Sequence, residues 1–131
     1  MKNSISLLTN VNSLPNVSVN SSVSPICIGD ISLLTATGAT AYNWQPSLTL
    51  SSSTGTSVSA MPNSTTAYAV SGTDANNCSN TANITIWVNP LPILSANPNV
   101  AIICEGENIS IIAGGASTYL WSPALGLNTT Q

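Results

Sequence analysis

Few of the 131 side chains could carry out chemistry. The chain has no histidine, which removes the commonest general base and excludes both Ser/His/Asp and Cys/His catalysis. The four carboxylates, Asp30, Asp74, Glu105 and Glu107, lie in predicted turns or at strand starts, and two of them would be few ligands for calcium. No Gly-rich phosphate-binding loop is present. We therefore predict that the protein is not an enzyme and has no catalytic residue, cofactor or metal site.

Two aromatic pairs have the spacing of neighbours on one face of a strand. Tyr42 and Trp44 are two residues apart, and so are Tyr119 and Trp121. Such a pair could form a platform for stacking on a sugar ring. Because the pair is repeated on an alternating apolar face, packing in a core is the better interpretation.

The chain contains one sequence pattern twice, at a constant offset of 77 residues. Cys27–Pro46 corresponds to Cys104–Pro123, and the linker Asn12–Pro15 corresponds to Asn89–Pro92. Self-similarity at a fixed period is the signature of tandem repeats. The sequence is therefore that of a repeat protein.

This register divides the chain into three predicted parts, residues 1–12, 13–89 and 90–131. The first is the last strand of a preceding repeat, the second is a complete repeat, and the third is the first half of a following repeat. Half a sandwich alone would leave an apolar face and open strand edges in water. We expect that the continuing chain or a neighbouring subunit completes it.

Alternating apolar and polar residues predict seven short strands in the complete repeat, and no stretch has a helical pattern. They are residues 17–23, 31–37, a third containing Tyr42 and Trp44, a weak fourth near 48–51, 57–60, 66–72 and 82–88. Seven short strands with a Trp on the third are typical of an immunoglobulin-like sandwich. We predict an all-β fold of immunoglobulin-like β-sandwich repeats in tandem.

The chain contains four motifs in this order: Ile26–Asp30, Tyr42–Pro46, Gly72–Cys78 and Val88–Pro92. With them, nearly the whole chain resembles the immunoglobulin-like tandem repeats of very large secreted surface proteins of Bacteroidota. Those proteins include gliding-motility-type adhesins, typically exported by the type IX system. The resemblance implies an extracellular, cell-surface location and a role as a stalk or fibre between other modules.

Two positions depart from that repeat type. Ser32 stands where the repeat normally carries an inward apolar residue, and Trp87 stands where it carries an outward Thr. The chain also differs from the related polycystic-kidney-disease repeat, since no Asp/Gly-rich turn follows Trp44. Calcium is therefore not implied.

The resemblance implies two cysteines in each repeat, and an oxidising compartment. A bond between Cys27 and Cys78 would leave Cys104 unpaired within the chain, and this is the pairing we prefer. The alternative, Cys78 with Cys104 across the linker, would leave Cys27 unpaired. In a strict immunoglobulin topology Cys27 and Cys78 would lie at opposite ends, and their Cα separation would forbid a bond. Metal ligation is a weaker interpretation, because there is no CxxC spacing.

The surface has very little charge, since charged residues make up 4% of the chain. With one Lys and no Arg, the surface has no basic patch that could bind nucleic acid or anionic lipid. No apolar run is long enough for membrane insertion. Apolar side chains at outward positions are candidates for contacts between subunits or repeats: Trp87, Leu33, Ile112 and Leu120. Trp87 could instead cover linker residue Leu91.

We therefore expect a non-catalytic, extracellular structural repeat of a cell-surface fibre, filament or adhesin stalk. Its partners would be neighbouring repeats or identical subunits. A second hypothesis is an adhesive module that binds glycans or protein, which would need an exposed aromatic cluster. A third is an accessory domain of a secreted hydrolase.

Overall fold

The computed structural model describes residues 2–128. The chain divides into two compact units, Met1–Pro90 and Leu91–Gln131, each of which is described by itself. The division lies one residue from the predicted boundary after residue 89. Among the described residues, no helix is long and apolar enough to cross a membrane.

The first unit contains eight strands, all of them short. They are β1 (Ser18–Ser21), β2 (Ile26–Cys27), β3 (Ser32–Thr37), β4 (Ala41–Gln45), β5 (Ser57–Ala60), β6 (Thr66–Thr73), β7 (Ser79–Ile86) and β8 (Val88–Asn89). Two antiparallel sheets, in the orders β1-β3-β5 and β4-β6-β7, account for six of these strands. The remaining two, β2 and β8, pair in parallel, with Ile26 opposite Val88 and Cys27 opposite Asn89.

The two three-stranded sheets share one apolar core. Alternate residues of each strand point inward, as expected where one face of a sheet is buried. The core residues are Ile26, Leu34, Ala36, Tyr42, Trp44, Val58, Ala60, Tyr68, Val70 and Ile86. The first unit is therefore an all-β, sandwich-like fold, and the prediction of an all-β protein is confirmed.

Hydrogen bonds satisfy the polar atoms of the core aromatics. The indole Nε1 of Trp44 donates to the carbonyl oxygen of Gly55 at 2.8 Å. The hydroxyl of Tyr42 donates to the carbonyl oxygen of Ala39 at 2.8 Å and accepts from the Ala39 amide at 2.8 Å. The Tyr68 hydroxyl lies 2.6 Å from that of Thr49. These bonds remove the cost of burying the polar groups and fix the orientation of each ring.

Ser32, one of the two departures from the repeat type, is fully buried. Its hydroxyl donates to the carbonyl oxygen of Val23 at 2.7 Å. A polar side chain is therefore tolerated at this core position because the end of the preceding segment supplies an acceptor.

The second unit contains two strands among its described residues, β9 (Ser95–Asn97) and β10 (Ile112–Gly114). They pair antiparallel, with Ala113 opposite Ala96. This pairing has the register of β1 and β3 shifted by 77 residues, since Ala36 is opposite Val19 in the first unit. The repeat in sequence is therefore a repeat in strand pairing.

Several strand predictions need correction. Residues 2–17 lie outside any strand, while the strand predicted within residues 1–12 belongs to a preceding repeat and stays a prediction. The weak fourth strand near residues 48–51 is reduced to an isolated bridge between Leu50 and Ala60. Residues 119–121, where the repeat predicts a third strand of the second unit, are also outside any strand. In each case no neighbouring strand within the described residues supplies a full ladder of backbone hydrogen bonds.

Candidate functional site

The chemistry-bearing side chains are used mainly to shape turns. In the turn from β6 to β7, Oδ1 of Asp74 accepts hydrogen bonds from the amides of Asn76 at 2.8 Å and Cys78 at 3.0 Å. The amide of Asn77, which has a φ of 60°, donates to the carbonyl oxygen of Asp74 at 3.2 Å. Asp74 therefore closes a tight turn through its own side chain.

A second carboxylate turn occurs at the same place in both units. Oδ2 of Asp30 accepts from the amide of Cys27 at 3.2 Å, and Oε2 of Glu107 accepts from the amide of Cys104 at 3.2 Å. Asp30 follows β2, whereas Asp74 precedes β7, so the two carboxylates lie at opposite ends of the first unit. Among residues 2–128, no three His, Cys, Asp or Glu side chains come close enough together to hold a metal ion.

Replacing Asp74 by alanine is expected to lower the free energy of unfolding of the first unit by about 1–2 kcal/mol, because two backbone amides lose their acceptor. Asp74→Asn keeps an oxygen at the Oδ1 position and should recover most of that loss. Urea denaturation followed by circular dichroism measures both. Equal losses in the two variants would contradict the assignment of Asp74 as a turn acceptor.

All three cysteines, Cys27, Cys78 and Cys104, are free thiols in the structure. The preferred pairing of Cys27 with Cys78 is therefore not formed, and neither is the alternative of Cys78 with Cys104.

The topology of the first unit explains why Cys27 and Cys78 cannot pair in this fold. Cys27 lies opposite Asn89 at the far end of β8, while Cys78 immediately precedes β7. The eight residues of β7, Ser79–Ile86, alone extend about 25 Å. A disulfide needs Cα atoms within about 7 Å. The prediction of this bond within the repeat is wrong, for the topological reason that the sequence had already raised.

The four predicted contact residues are all exposed. They are Trp87, Leu33, Ile112 and Leu120, of which Leu120 is the most exposed. Leu33 lies on β3 and Ile112 on β10, each on the side of its strand that faces away from the alternating inward residues. The structure therefore leaves these apolar side chains free for contact with another surface, and their role stays a prediction.

Trp87 combines a fixed backbone with a free side chain. Its carbonyl oxygen accepts from the amide of Ile26 at 2.9 Å, and its amide donates to Oγ of Ser24 at 3.2 Å. The side chain is 62% exposed, and that of Leu91 is 58% exposed. A large exposed apolar ring on a fixed backbone suits a contact residue.

The aromatic pair of the first unit lies in the core, as predicted. Trp44 is fully buried and Tyr42 nearly so. These rings are therefore not available for stacking on a sugar. In the second unit Tyr119 and Trp121 are only partly buried, although the Tyr119 hydroxyl makes the same bonds, to Ala116, that Tyr42 makes to Ala39.

A shallow polar groove lies on the outer face of the β4-β6-β7 sheet. Its lining is about equally polar and apolar, and its amide and hydroxyl residues include Asn43, Gln45, Ser71, Thr73 and Thr81. These groups can exchange hydrogen bonds with sugar hydroxyls. Sequence reasoning missed the groove, because outward polar residues on three different strands carry no signal until the strand order is known.

Sequence reasoning also missed the role of Ile26. It belongs to the two-residue strand β2 and is buried in the core through its parallel pairing with β8. A two-residue strand shows no alternation, but the recurrence of Ile at position 103 was a signal that could have identified it.

No protein-family model matches the chain, and no curated protein matches it.

Proposed function

We propose that this chain is a non-catalytic structural repeat of an extracellular, cell-surface fibre or adhesin stalk. We further propose that its complete unit, residues 13–89, is an immunoglobulin-like sandwich. Two three-stranded antiparallel sheets, a buried Trp on β4 and the strand order β1-β3-β5 and β4-β6-β7 support the immunoglobulin-like assignment.

The observation that carries the proposal is the position of the two chain connections of the first unit. The carbonyl oxygen of Pro15 accepts a hydrogen bond at 3.0 Å from Nδ2 of Asn80, at the start of β7. The chain leaves through β8, beyond the other end of β7. A unit entered at one end and left at the other can be joined to identical units in line. Together with a 77-residue sequence period, this is the connectivity of a stalk or fibre.

The surface composition supports the same proposal. The whole chain has one Lys, no Arg and four carboxylates, and large apolar side chains such as Trp87 and Leu33 are exposed. A protein surface with so little charge and such apolar positions is typical of a molecule that packs against others.

Sedimentation velocity of the purified chain over a wide range of concentrations tests the proposal. Open-ended association predicts a sedimentation coefficient that keeps rising with concentration. A double variant, Trp87→Ser with Leu33→Ser, should move this rise to higher concentration if lateral contacts contribute. The matched control is Leu48→Ser, which removes an apolar side chain that is even more exposed and lies outside the predicted contact set. A single species at all concentrations would contradict the fibre and leave only the stalk, whose repeats are joined by the chain itself.

A glycan-binding module is the second candidate, and the polar groove on the outer face of the β4-β6-β7 sheet is the observation that favours it. Tyr42 lines it but its ring is buried, so hydrogen bonds from Asn43 and Gln45 would have to provide most of the affinity. Binding to immobilised glycans tests this function. Binding by a chain that stays monomeric, and its loss in the Asn43→Ala and Gln45→Ala variants, would support this function over the fibre.

A further inference from the structure

The groove on the outer face of the β4-β6-β7 sheet has small residues along its middle strand and longer ones on either side. Ala69 and Ser71 of β6 form its floor. Its sides are Asn43 and Gln45 of β4 and Thr81 of β7. These sides are two strand spacings apart, about 10 Å, so the groove runs along β6. Its volume is about 600 Å³, which is within the range of ligand pockets.

The strand register arranges this face in rows across the sheet. Ser71 is opposite Asn43 on one side and Thr81 on the other. Ala67, two rows further along β6, is opposite Thr85. Successive rows on one face of a strand are about 7 Å apart. The face therefore offers side chains at regular steps along β6, as a linear ligand with a repeating unit requires.

The polar side chains of the two outer faces differ in their hydrogen bonds. On the β1-β3-β5 sheet the hydroxyls bond one another, Ser18 to Thr37 at 2.7 Å and Thr35 to Ser57 at 3.2 Å. Within residues 2–128, no hydrogen bond joins another residue to four polar side chains of the groove: Asn43, Gln45, Ser71 and Thr81. Their donors and acceptors are therefore free to bind groups outside the unit.

The groove carries no charge, and this limits the ligands that it matches. Asp74 follows groove residue Thr73, and its Oδ1 already accepts from two amides of the turn. None of the charged residues of the chain lines the groove: Lys2, Asp30, Asp74, Glu105 and Glu107. Uncharged amides and hydroxyls are complementary to a ligand that carries hydroxyl groups rather than phosphate, sulfate or carboxylate groups.

Trp87 lies on the same face as the groove, immediately after β7. Ile86 and Val88 pack in or against the core, so Trp87 between them points outward, as Thr85 does. The indole is 62% exposed, and the backbone that carries it is fixed by its hydrogen bonds. An exposed aromatic ring with an apolar face can stack on the C–H face of a sugar ring. Trp87 thus supplies the exposed aromatic ring that the groove itself lacks.

The distance between the groove and Trp87 sets the length of a ligand that contacts both. Thr81, which is opposite Ser71 in the groove, is six residues before Trp87. Six residues of extended strand correspond to about 20 Å. A disaccharide is shorter than this distance, whereas a longer linear saccharide can contact both places at once.

We propose that the outer face of the β4-β6-β7 sheet binds a linear, uncharged polysaccharide that lies along β6. Hydroxyls of the polysaccharide exchange hydrogen bonds with Asn43, Gln45 and Thr81, and one of its rings stacks on the indole of Trp87. The inference rests on glycan binding, the second candidate function, and adds the class of ligand, its direction on the sheet and the stacking residue. It is independent of fibre formation.

Affinity electrophoresis of the full chain in native gels that contain a soluble polysaccharide tests the class of ligand. The uncharged probes are galactomannan, xyloglucan, mixed-linkage β-glucan and dextran, and the charged probe is alginate. We expect at least one uncharged polymer to retard the chain and alginate to leave its mobility unchanged. Retardation by alginate alone, or by none of these polymers, would overturn the inference.

Titration calorimetry with the hexasaccharide and the disaccharide of the polymer that binds tests the position of the ligand. For the hexasaccharide, Trp87→Ala should weaken binding by about tenfold or more, and Trp87→Phe, which keeps an aromatic face, should recover most of the loss. Asn43→Ala should weaken it by about threefold to tenfold. The disaccharide should respond to at most one of the two alanine substitutions. The matched controls, Leu33→Ala and Asn20→Ala, alter exposed residues on the outer face of the β1-β3-β5 sheet and should leave binding unchanged.

The results separate this inference from the functions on which it bears. If the hexasaccharide binds Trp87→Ala and Asn43→Ala as tightly as the wild-type chain, the ligand lies elsewhere; the inference is wrong and glycan binding stands. If no polysaccharide binds, the inference and the second candidate function are both wrong, while sedimentation still decides the fibre. If no polysaccharide binds but the two variants sediment differently from the wild-type chain, this face contacts a second copy instead.

Discussion

Trp44→Ala is expected to lower the free energy of unfolding of the first unit by about 3–5 kcal/mol, the range for deleting a large aromatic side chain from a core. The indole is fully buried between the two sheets, and its removal also leaves the carbonyl oxygen of Gly55 without its donor. In a domain this small, such a loss is a large fraction of the total stability. Urea denaturation followed by far-ultraviolet circular dichroism measures it.

The matched control is Trp87→Ala, which removes the same side chain from an exposed position on the same unit. We expect a change within about 0.5 kcal/mol, as for most surface substitutions. A Trp44→Ala variant as stable as Trp87→Ala would show that the two sheets do not depend on a shared core.

Gly38→Ala is expected to destabilise the first unit by about 2–4 kcal/mol, because two separate penalties combine. Gly38, between β3 and β4, has a φ of 95°, where L side chains are strained. A Cβ there would also overlap the carbonyl oxygen of Asn16. The second unit repeats this contact, since a Cβ on Gly115 would overlap the carbonyl oxygen of Ile93. Thermal unfolding of the variant measures the cost.

Gly29→Ala separates the two penalties. Gly29 has the same φ of 95°, but a Cβ there would have no atom within 4 Å. This variant should lose only about 1–2 kcal/mol, the cost of the backbone conformation. If Gly29→Ala and Gly38→Ala are equally destabilised, the close approach of the Asn16 backbone to Gly38 contributes nothing.

The central strands were predictable because each buries one face. β3 and β6 begin and end within one residue of their predicted bounds, and β5 was predicted residue for residue. In such strands a shift of one residue would turn every apolar side chain outward, so the alternation fixes the register. The fold class and the buried positions of Tyr42 and Trp44 follow from the same pattern.

The start of β7 was not predictable in this way. Its first three residues, Ser79 to Thr81, are polar and exposed, and the ladder with β6 keeps them in the strand. The parallel pair β2 and β8 was missed as well, because two residues show no period. That pair places Cys27 at the end of the first unit far from Cys78.

The candidate contact surface was predictable only in part. Outward apolar residues such as Trp87 could be identified from alternation and are exposed in the structure. The exposed apolar face of the second unit was expected from the repeat register, since half a sandwich leaves one face uncovered, and Ile111 is partly exposed where its counterpart Leu34 is fully buried.

Electron microscopy of the purified full chain tests most directly the claim that this is a fibre-forming structural repeat. The account predicts unbranched fibres with a regular axial repeat. Dispersed single particles, at concentrations where the chain is fully folded, would contradict it.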